Sequence, residues 1–271
     1  MAIHYETHDD GHIVLITIDR PERRNALDLH DFSGLANAWR RFDDDDEAWV
    51  AIVTGVEDAF CAGADLKDFI PQITQLQKEI QSGETSELEG VRLEDTTHAV
   101  LRNVELYKPV IAAVNGPCVA GGMEMLGGVD IRLAAPEAIF GVTEPRQGLF
   151  AGGGTTVRLP RQVAFSHAME LLLTADPIPA QRAFEMGLVN EVVERDQLLD
   201  TAFEWARRIT KNAPLAVQAT KESVMRSLAA STLEEGYKIE SKLSKRVFQT
   251  EDAKEGPKAF AEKRTPDWQA R

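Results

Sequence analysis

The chain has 271 residues, with 30 Lys and Arg against 44 Asp and Glu, a formal net charge of −14. Hydrophobic residues make up 43% of it, as in globular proteins and above the disordered range, and this length buries a large core, with or without an appendage. The acidic balance argues against nucleic acid or an anionic membrane as partner, since both require a basic footprint, and it means that a polyanionic ligand needs a local positive site.

Residues 13–18 (Ile-Val-Leu-Ile-Thr-Ile) form a β-branched run that ends at Asp19-Arg20-Pro21, which predicts a buried strand and a turn. Asp28 then reads as the N-cap of a helix with Leu29, Phe32, Leu35, Ala36, Trp39 and Phe42 at helical spacing, closed by the acidic run 43–47. Further strands are expected at 49–54, 110–114 and 129–133. The polar stretch 72–97, with Gly83 and Gly90, reads as a mobile, partly helical surface segment. A lid over a site and a plain solvated insertion fit it equally well. From about residue 160 the pattern turns helical: Ala168, Leu171 and Leu172 mark one helix, 180–186 stops at Gly187, and Pro214 opens another. Thr232 with Glu235 resembles a capping box. Strands alternating with helices predict an α/β fold with a helical extension packed on the core or on a neighbouring subunit. No internal repeat is visible.

Two Gly-rich stretches each follow a predicted strand: Phe60-Cys61-Ala62-Gly63-Ala64-Asp65-Leu66-Lys67, and Val114 to Glu124 with Gly116, Gly121 and Gly122. Small residues let a ligand approach the backbone, and a helix N-terminus offers unpaired N–H groups. Neither stretch matches a P-loop or a dinucleotide fingerprint, and structural turns account for each taken alone. A helix starting near Gly121 would place Glu124 about one turn on, on the same face. Glu144 follows in Phe140-Gly141-Val142-Thr143-Glu144-Pro145, ahead of the Gly-rich 148–154. Two facing buried carboxyls can divide into an acid and a base near neutral pH; spacing alone leaves open that both are surface glutamates. The two cysteines, Cys61 and Cys118, are too few for a disulfide framework and suit a reducing compartment. With no leader-like N-terminus and no apolar stretch near the ~20 residues that span a bilayer, a soluble cytoplasmic protein is expected.

In this order and at these spacings, Asp19-Arg20-Pro21, Asn25-Ala26-Leu27, Phe60 to Lys67, Lys108 to Gly116, Ala120 to Glu124, Phe140-Gly141 with Glu144, and Phe260 to Arg264 carry a resemblance. The chain resembles the enoyl-CoA hydratase/isomerase (crotonase) superfamily over nearly its whole length. The resemblance implies an α/β spiral of repeated ββα units in a core domain, residues 1–200, and a C-terminal helical region, 201–271, that assembles homotrimers or hexamers (dimers of trimers). It implies an acyl-CoA thioester substrate, with no metal and no cofactor beyond the coenzyme A that the substrate carries.

By the same resemblance, the backbone N–H groups of Ala64 and Gly121 form an oxyanion hole, and Glu124 and Glu144 match the two catalytic carboxylates of hydratases. That combination implies syn addition of water to a trans-2-enoyl-CoA, giving a 3-hydroxyacyl-CoA in fatty-acid β-oxidation or related acyl-CoA breakdown. Glu144 would deliver the proton and Glu124 would activate the water, with the N–H of Gly152 helping to orient it. Arg23 or Arg24 and Lys67 are candidates near the CoA phosphates, Ala26 near the nucleotide, and Ala62, Asp65 and Leu66 in the same binding segment. Phe260 and Lys263 would reach a neighbouring subunit's nucleotide. Where family hydratases often read Pro-Gly-Ala-Gly-Gly-Thr, this chain reads Ala151-Gly152-Gly153-Gly154-Thr155-Thr156. The following Val157-Arg158-Leu159-Pro160-Arg161 is closer to carnitinyl-CoA dehydratase-like members. A specialised dehydratase, an enoyl-CoA isomerase or a thioester hydrolase on this scaffold are therefore alternatives. A non-catalytic RNA-binding relative would need more than the modest lysine cluster at 238–245.

Overall fold

The N-terminal segment pairs with the first apolar run. In the computed structural model, which describes residues 2–83, 87–88 and 90–271, β1 (Ile3–His8) lies antiparallel to β2 (Ile13–Ile18), with Ile3 opposite Ile18. β1 was not expected from the sequence. Only Ile3 and Tyr5 pack on the core, while their neighbours face out, as befits an edge strand. Helix α1 (Leu29–Asp44) starts where expected: the Asp28 carboxylate accepts from the Asp31 N–H at 2.9 Å, and Asp31 returns the bond at 3.2 Å. Its six predicted apolar positions are all buried.

β3 (Val50–Gly55) pairs parallel with β2, and α2 (Leu66–Ser82) follows. The stretch expected to be partly helical carries the end of α2, the hairpin of β4 (Glu87–Leu88) and β5 (Val91–Arg92), and α3 (Asp95–Ala99). Leu76 of α2 is buried with Leu29 and Val91, which ties the segment to α1. Residues 84–86 and 89 of that stretch lie outside the described residues.

β6 (Val110–Val114) leads to β7 (Cys118–Val119) and α4 (Gly121–Leu126), and β8 (Ile131–Ala134) to β9 (Ile139–Gly141), α5 (Thr155–Gln162) and α6 (Phe165–Thr174). β8 starts two residues later than expected because Val129 still closes the turn after α4, its N–H bonded to the Leu126 carbonyl at 3.1 Å. β10 (Ile178–Pro179), α7 (Ala180–Glu185) and β11 (Glu191–Val192) complete the core.

The large sheet has the order β1-β2-β3-β6-β8-β11, parallel except for β1, and a smaller one runs β10-β9-β7. After β6 and again after β8 the chain crosses to the small sheet and then enters a helix, which is the expected ββα winding. The bridges Leu27–Ala64 and Cys61–Cys118 extend this inner layer toward the N-terminus. Trp39, Phe42, Phe60 and Phe140 fill the core on one face of the large sheet, each burial contributing about 1.5–3 kcal/mol.

Helix α8 (Leu198–Thr210) covers the other face through Leu198, Ala202 and Ala206. The division expected at residue 200 thus falls inside a helix of the core. Beyond it, α9 (Pro214–Leu228) packs against α10 (Leu233–Val247), clamped by buried Glu222, which bonds Arg226 and Arg246 at 2.7 Å each. The Thr232 hydroxyl caps α10 by accepting from the Glu235 N–H, but Glu235 returns its bond to Ser231 instead of Thr232. After α11 (Asp252–Glu262) the tail folds back, the Trp268 indole donating to the Lys211 carbonyl at 2.9 Å. Among the described residues, no helix is long and apolar enough to cross a membrane.

Candidate active site

The two Gly-rich stretches meet. Leu27 donates to the Gly63 carbonyl at 2.8 Å and accepts from the Asp65 N–H at 2.8 Å. In such a bridge the intervening residue faces the other way, so the Ala64 N–H lies on the side away from Leu27. That is the side of Gly121: a methyl built on Gly121 would stand 3.7 Å from the Ala64 nitrogen, and one on Gly63 only 2.9 Å from the Gly121 nitrogen. Gly121 is the first residue of α4, where an N–H has no acceptor within the helix. It is aimed by Ala120, held at φ 49° and ψ −118°, a left-handed conformation costly for a residue with a side chain. The two donors open on a cavity of about 510 Å³ that Ala62, Ala64, Leu66, Gly121, Glu124, Glu144 and Gly152 all help to line.

The two glutamates reach this cavity from different supports. Glu124 stands on α4, one turn beyond Gly121, and its Oε1 accepts the N–H of Gly153. Arg158 holds the backbone beneath it, donating to the carbonyls of Glu124 at 3.2 Å and Val100 at 3.1 Å, and to that of Leu101. Arg102 donates to the Gly152 carbonyl at 2.5 Å. Burial pushes the Glu124 carboxyl up, while the Gly153 N–H, Arg102 and Arg158 pull it back. Glu144 opens the 3₁₀ turn Glu144–Gln147 after β9, and both its carboxyl oxygens are buried without a hydrogen-bond partner. Burial pushes it up to about 7, helped by the charge of Glu124. Burial thus raises both carboxyls, and Glu144, raised the further of the two, is the one more readily protonated near neutral pH.

The remaining expected residues divide. Gly152 lines the cavity, and it is the next residue, Gly153, whose N–H bonds Glu124. Asp65 caps α2, accepting from the Lys67 N–H at 3.3 Å, and pairs with Arg20 at 3.2 Å and Arg23 at 3.6 Å. It fastens the 20–27 loop to α2, and Arg23 is partly neutralised by it. The Ala62 N–H donates to the Arg24 carbonyl, and the Ala26 carbonyl accepts from Arg20 at 2.8 Å. Lys67 stands exposed on the first turn of α2. Phe260 (85% exposed) and Lys263, the C-cap of α11, are not among the residues lining the cavity. The free thiols of Cys61 and Cys118 are fully buried, the first pushed up to about 12 by burial, and pack the inner layer. Sequence reading passed over Arg102, Arg158 and Gly153. Only Arg158 carried a signal, one turn past a Gly-rich loop.

Apolar side chains also line the cavity: Leu66 and Ile70 of α2 and Leu149 and Phe150 of the loop after Glu144 are exposed, and Phe32 packs against Phe69.

The family model described as enoyl-CoA hydratase/isomerase matches residues 8–271. Enoyl-CoA hydratase EchA19 of Mycobacterium tuberculosis is 41% identical over 267 residues, 96% of this chain and 94% of that one. A carnitinyl-CoA dehydratase of Proteus mirabilis is 36% identical over 267 residues, 96% of each chain. The crystal structure of an enoyl-CoA hydratase from Mycobacterium tuberculosis superposes with a TM-score of 0.85 at 40% identity, covering 100% of this chain and 99% of that one.

Proposed function

Since the chain belongs to the enoyl-CoA hydratase/isomerase family, we infer that it is an enoyl-CoA hydratase, adding water reversibly to a trans-2-enoyl-CoA to give a 3-hydroxyacyl-CoA. The observation that carries this reading is the pairing of a braced Glu124 with an unpartnered Glu144 on one cavity, beside two free backbone donors. The thioester oxygen sits between the N–H groups of Ala64 and Gly121, where charge develops as the enolate forms; one such donor supplies roughly 2.7–4 kcal/mol. Glu124 holds the water and takes its proton as oxygen attacks the β-carbon. Glu144, protonated, gives its proton to the α-carbon on the same face. One proton enters the pair and one leaves it, so its total charge is unchanged and the site resets by redistribution within the pair.

The apolar lining from α2 and the 149–150 loop accepts the acyl chain. Arg24 and Lys67 supply the local positive charge for the CoA phosphates, with Arg23 a lesser contributor. No further cofactor is required. The exposed Val224, Leu228, Leu233, Tyr237 and Phe248 on and beside α9 and α10 support assembly of this region into a trimer or a hexamer, in which Phe260 and Lys263 meet a neighbour's nucleotide. We place the enzyme in the cytoplasm, in acyl-CoA breakdown.

The test is loss of crotonyl-CoA followed at the enoyl-thioester absorbance, with the product identified by mass. Water addition to give 3-hydroxybutyryl-CoA is expected; release of free CoA or a shifted double bond would replace the hydratase reading. The Ala151–Thr156 departure and the carnitinyl-CoA dehydratase likeness favour a second reading, dehydration of a functionalised 3-hydroxyacyl-CoA. A panel of such substrates decides the working direction.

A further inference from the structure

The Gly152 carbonyl and the Gly153 N–H belong to one peptide group, and in a trans peptide they point in opposite directions. Arg102 grips the carbonyl end at 2.5 Å and Glu124 takes the N–H end. The peptide cannot turn without breaking both bonds, one of them assisted by the guanidinium charge and the other by the carboxylate. Arg102 is itself held in place. The chain takes left-handed conformations at Leu101 (φ 56°) and Asn103 (φ 58°), on either side of it, and Arg158 fastens this kink through the Val100 and Leu101 carbonyls while also holding that of Glu124. The 100–103 kink, the 152–154 loop and α4 are thus tied into one frame.

We propose that Arg102 is a positioning residue for hydration: through the Gly152–Gly153 peptide it holds the Glu124 carboxylate in its aim at the attacking water. This rests on the hydratase reading of the site. The groups that face Glu124 are Arg102 from the kink, Arg158 from α5, Glu144 from its turn and the Cys61 thiol from the inner layer. Of these, only the two arginines favour its charged form. Arg158 spends its donors on three carbonyls, which leaves Arg102 as the cation that acts through the peptide touching the carboxylate. Glu144 has no such frame, and the difference between the two glutamates follows from where Arg102 reaches.

Arg102→Met and Arg102→Lys are compared with wild type for the pH profile of crotonyl-CoA hydration. In parallel, the titration of ¹³C-labelled glutamate carboxyls is followed by NMR, Glu124 being assigned from its absence in Glu124→Gln. In Arg102→Met, kcat falls by roughly tenfold or more at neutral pH, a part of the usual acid–base contribution, with a smaller change in KM. The acid limb of kcat/KM and the Glu124 titration both move to higher pH, and Arg102→Lys recovers most of the loss. Equal losses in both variants, with an unmoved acid limb and an unmoved Glu124 titration, would reduce Arg102 to packing and overturn the proposal. A wild type that leaves crotonyl-CoA unchanged would instead sink the hydratase reading, and the NMR titration, which needs no turnover, would then decide the Arg102 question alone.

Discussion

Glu124 and Glu144 look into the same cavity from walls built in opposite ways. The Glu124 wall is a short helix whose carboxylate, backbone carbonyl and neighbouring loop are all tied down by donors from Gly153, Arg158 and Arg102. The Glu144 wall is a 3₁₀ turn running into the exposed Leu149 and Phe150, and its carboxyl receives no hydrogen bond from any other residue, only the pull of its own backbone N–H. Donors around a buried carboxyl offset part of what burial does to it, so Glu124 is raised less than Glu144. Two identical side chains thus differ in proton affinity because of what surrounds them, the difference that the hydratase reading uses for its base and its acid.

The comparison breaks most completely if the shared donors are closed off. Gly63 has φ +89°, and a methyl there would stand 2.8 Å from the Ala120 Cβ and 2.9 Å from the Gly121 nitrogen. Gly63→Ala is expected to lower kcat by about 10²–10³-fold, the scale of losing one oxyanion donor. Gly83→Ala separates strain from blockage, because Gly83 shares the left-handed conformation (φ +76°) but has open space around it. That variant loses only about 1 kcal/mol of stability in a thermal melt and hydrates crotonyl-CoA at the wild-type rate. Equal rates in the two variants would mean that the Gly121 donor does not serve the reaction.

Next in size are the carboxyls themselves. Glu124→Gln and Glu144→Gln are each expected to lower kcat by ~10²-fold or more. Gly153→Ala should resemble the first, since its methyl would fall 2.2 Å from Glu124 Oε2 and drive the side chain from its place. Near-normal turnover in either Gln variant would remove that residue from the chemistry. A Gly153→Ala enzyme with full activity would show that the braced wall is not what aims Glu124.

What the sequence disclosed follows the same division between regular and irregular backbone. The strands at 13–18 and 110–114 were legible to the residue because a buried parallel strand is an unbroken apolar run. Helix α1 was legible through its period and its capping aspartate. Strand β1 was hidden because an edge strand buries only every other residue, and α2 because its long exposed face, rich in Gln and Glu, resembles a loop. The cavity was reached through motifs: Ala64, Gly121, Glu124 and Glu144 were named from the resemblance, and the chain brings them together. Arg102 was out of reach. What aims it is a left-handed kink at Leu101, a residue type that gives no hint of such a conformation. For the same reason Gly153 was passed over, since spacing does not tell which peptide of a Gly-rich loop turns toward a side chain.

The smallest effect is the one that separates the two walls without any substrate. Glu144 keeps its proton in the folded protein up to about 7, against an ordinary value of 4.5. As pH rises through that window the folded protein binds a proton that the unfolded chain has lost, so stability falls with rising pH, and the loss is complete above pH 7. Glu144→Gln keeps the shape of the neutral side chain and removes the titration. The variant and wild type should therefore melt together near pH 4.5, with the variant gaining as pH rises. Because Glu144 is only half-buried as a residue, solvent screening leaves only part of the burial penalty. A gain of about 2–4 °C at pH 8 is expected, which is roughly 1 kcal/mol in a chain of this size. Glu124→Gln should gain less over the same range, since burial also raises the Glu124 carboxyl but Gly153, Arg102 and Arg158 offset part of that rise. Parallel melting curves for Glu144→Gln and wild type from pH 5 to pH 8 would mean that Glu144 titrates as an ordinary surface carboxylate, and the two walls would then not differ in the way that makes one glutamate the acid.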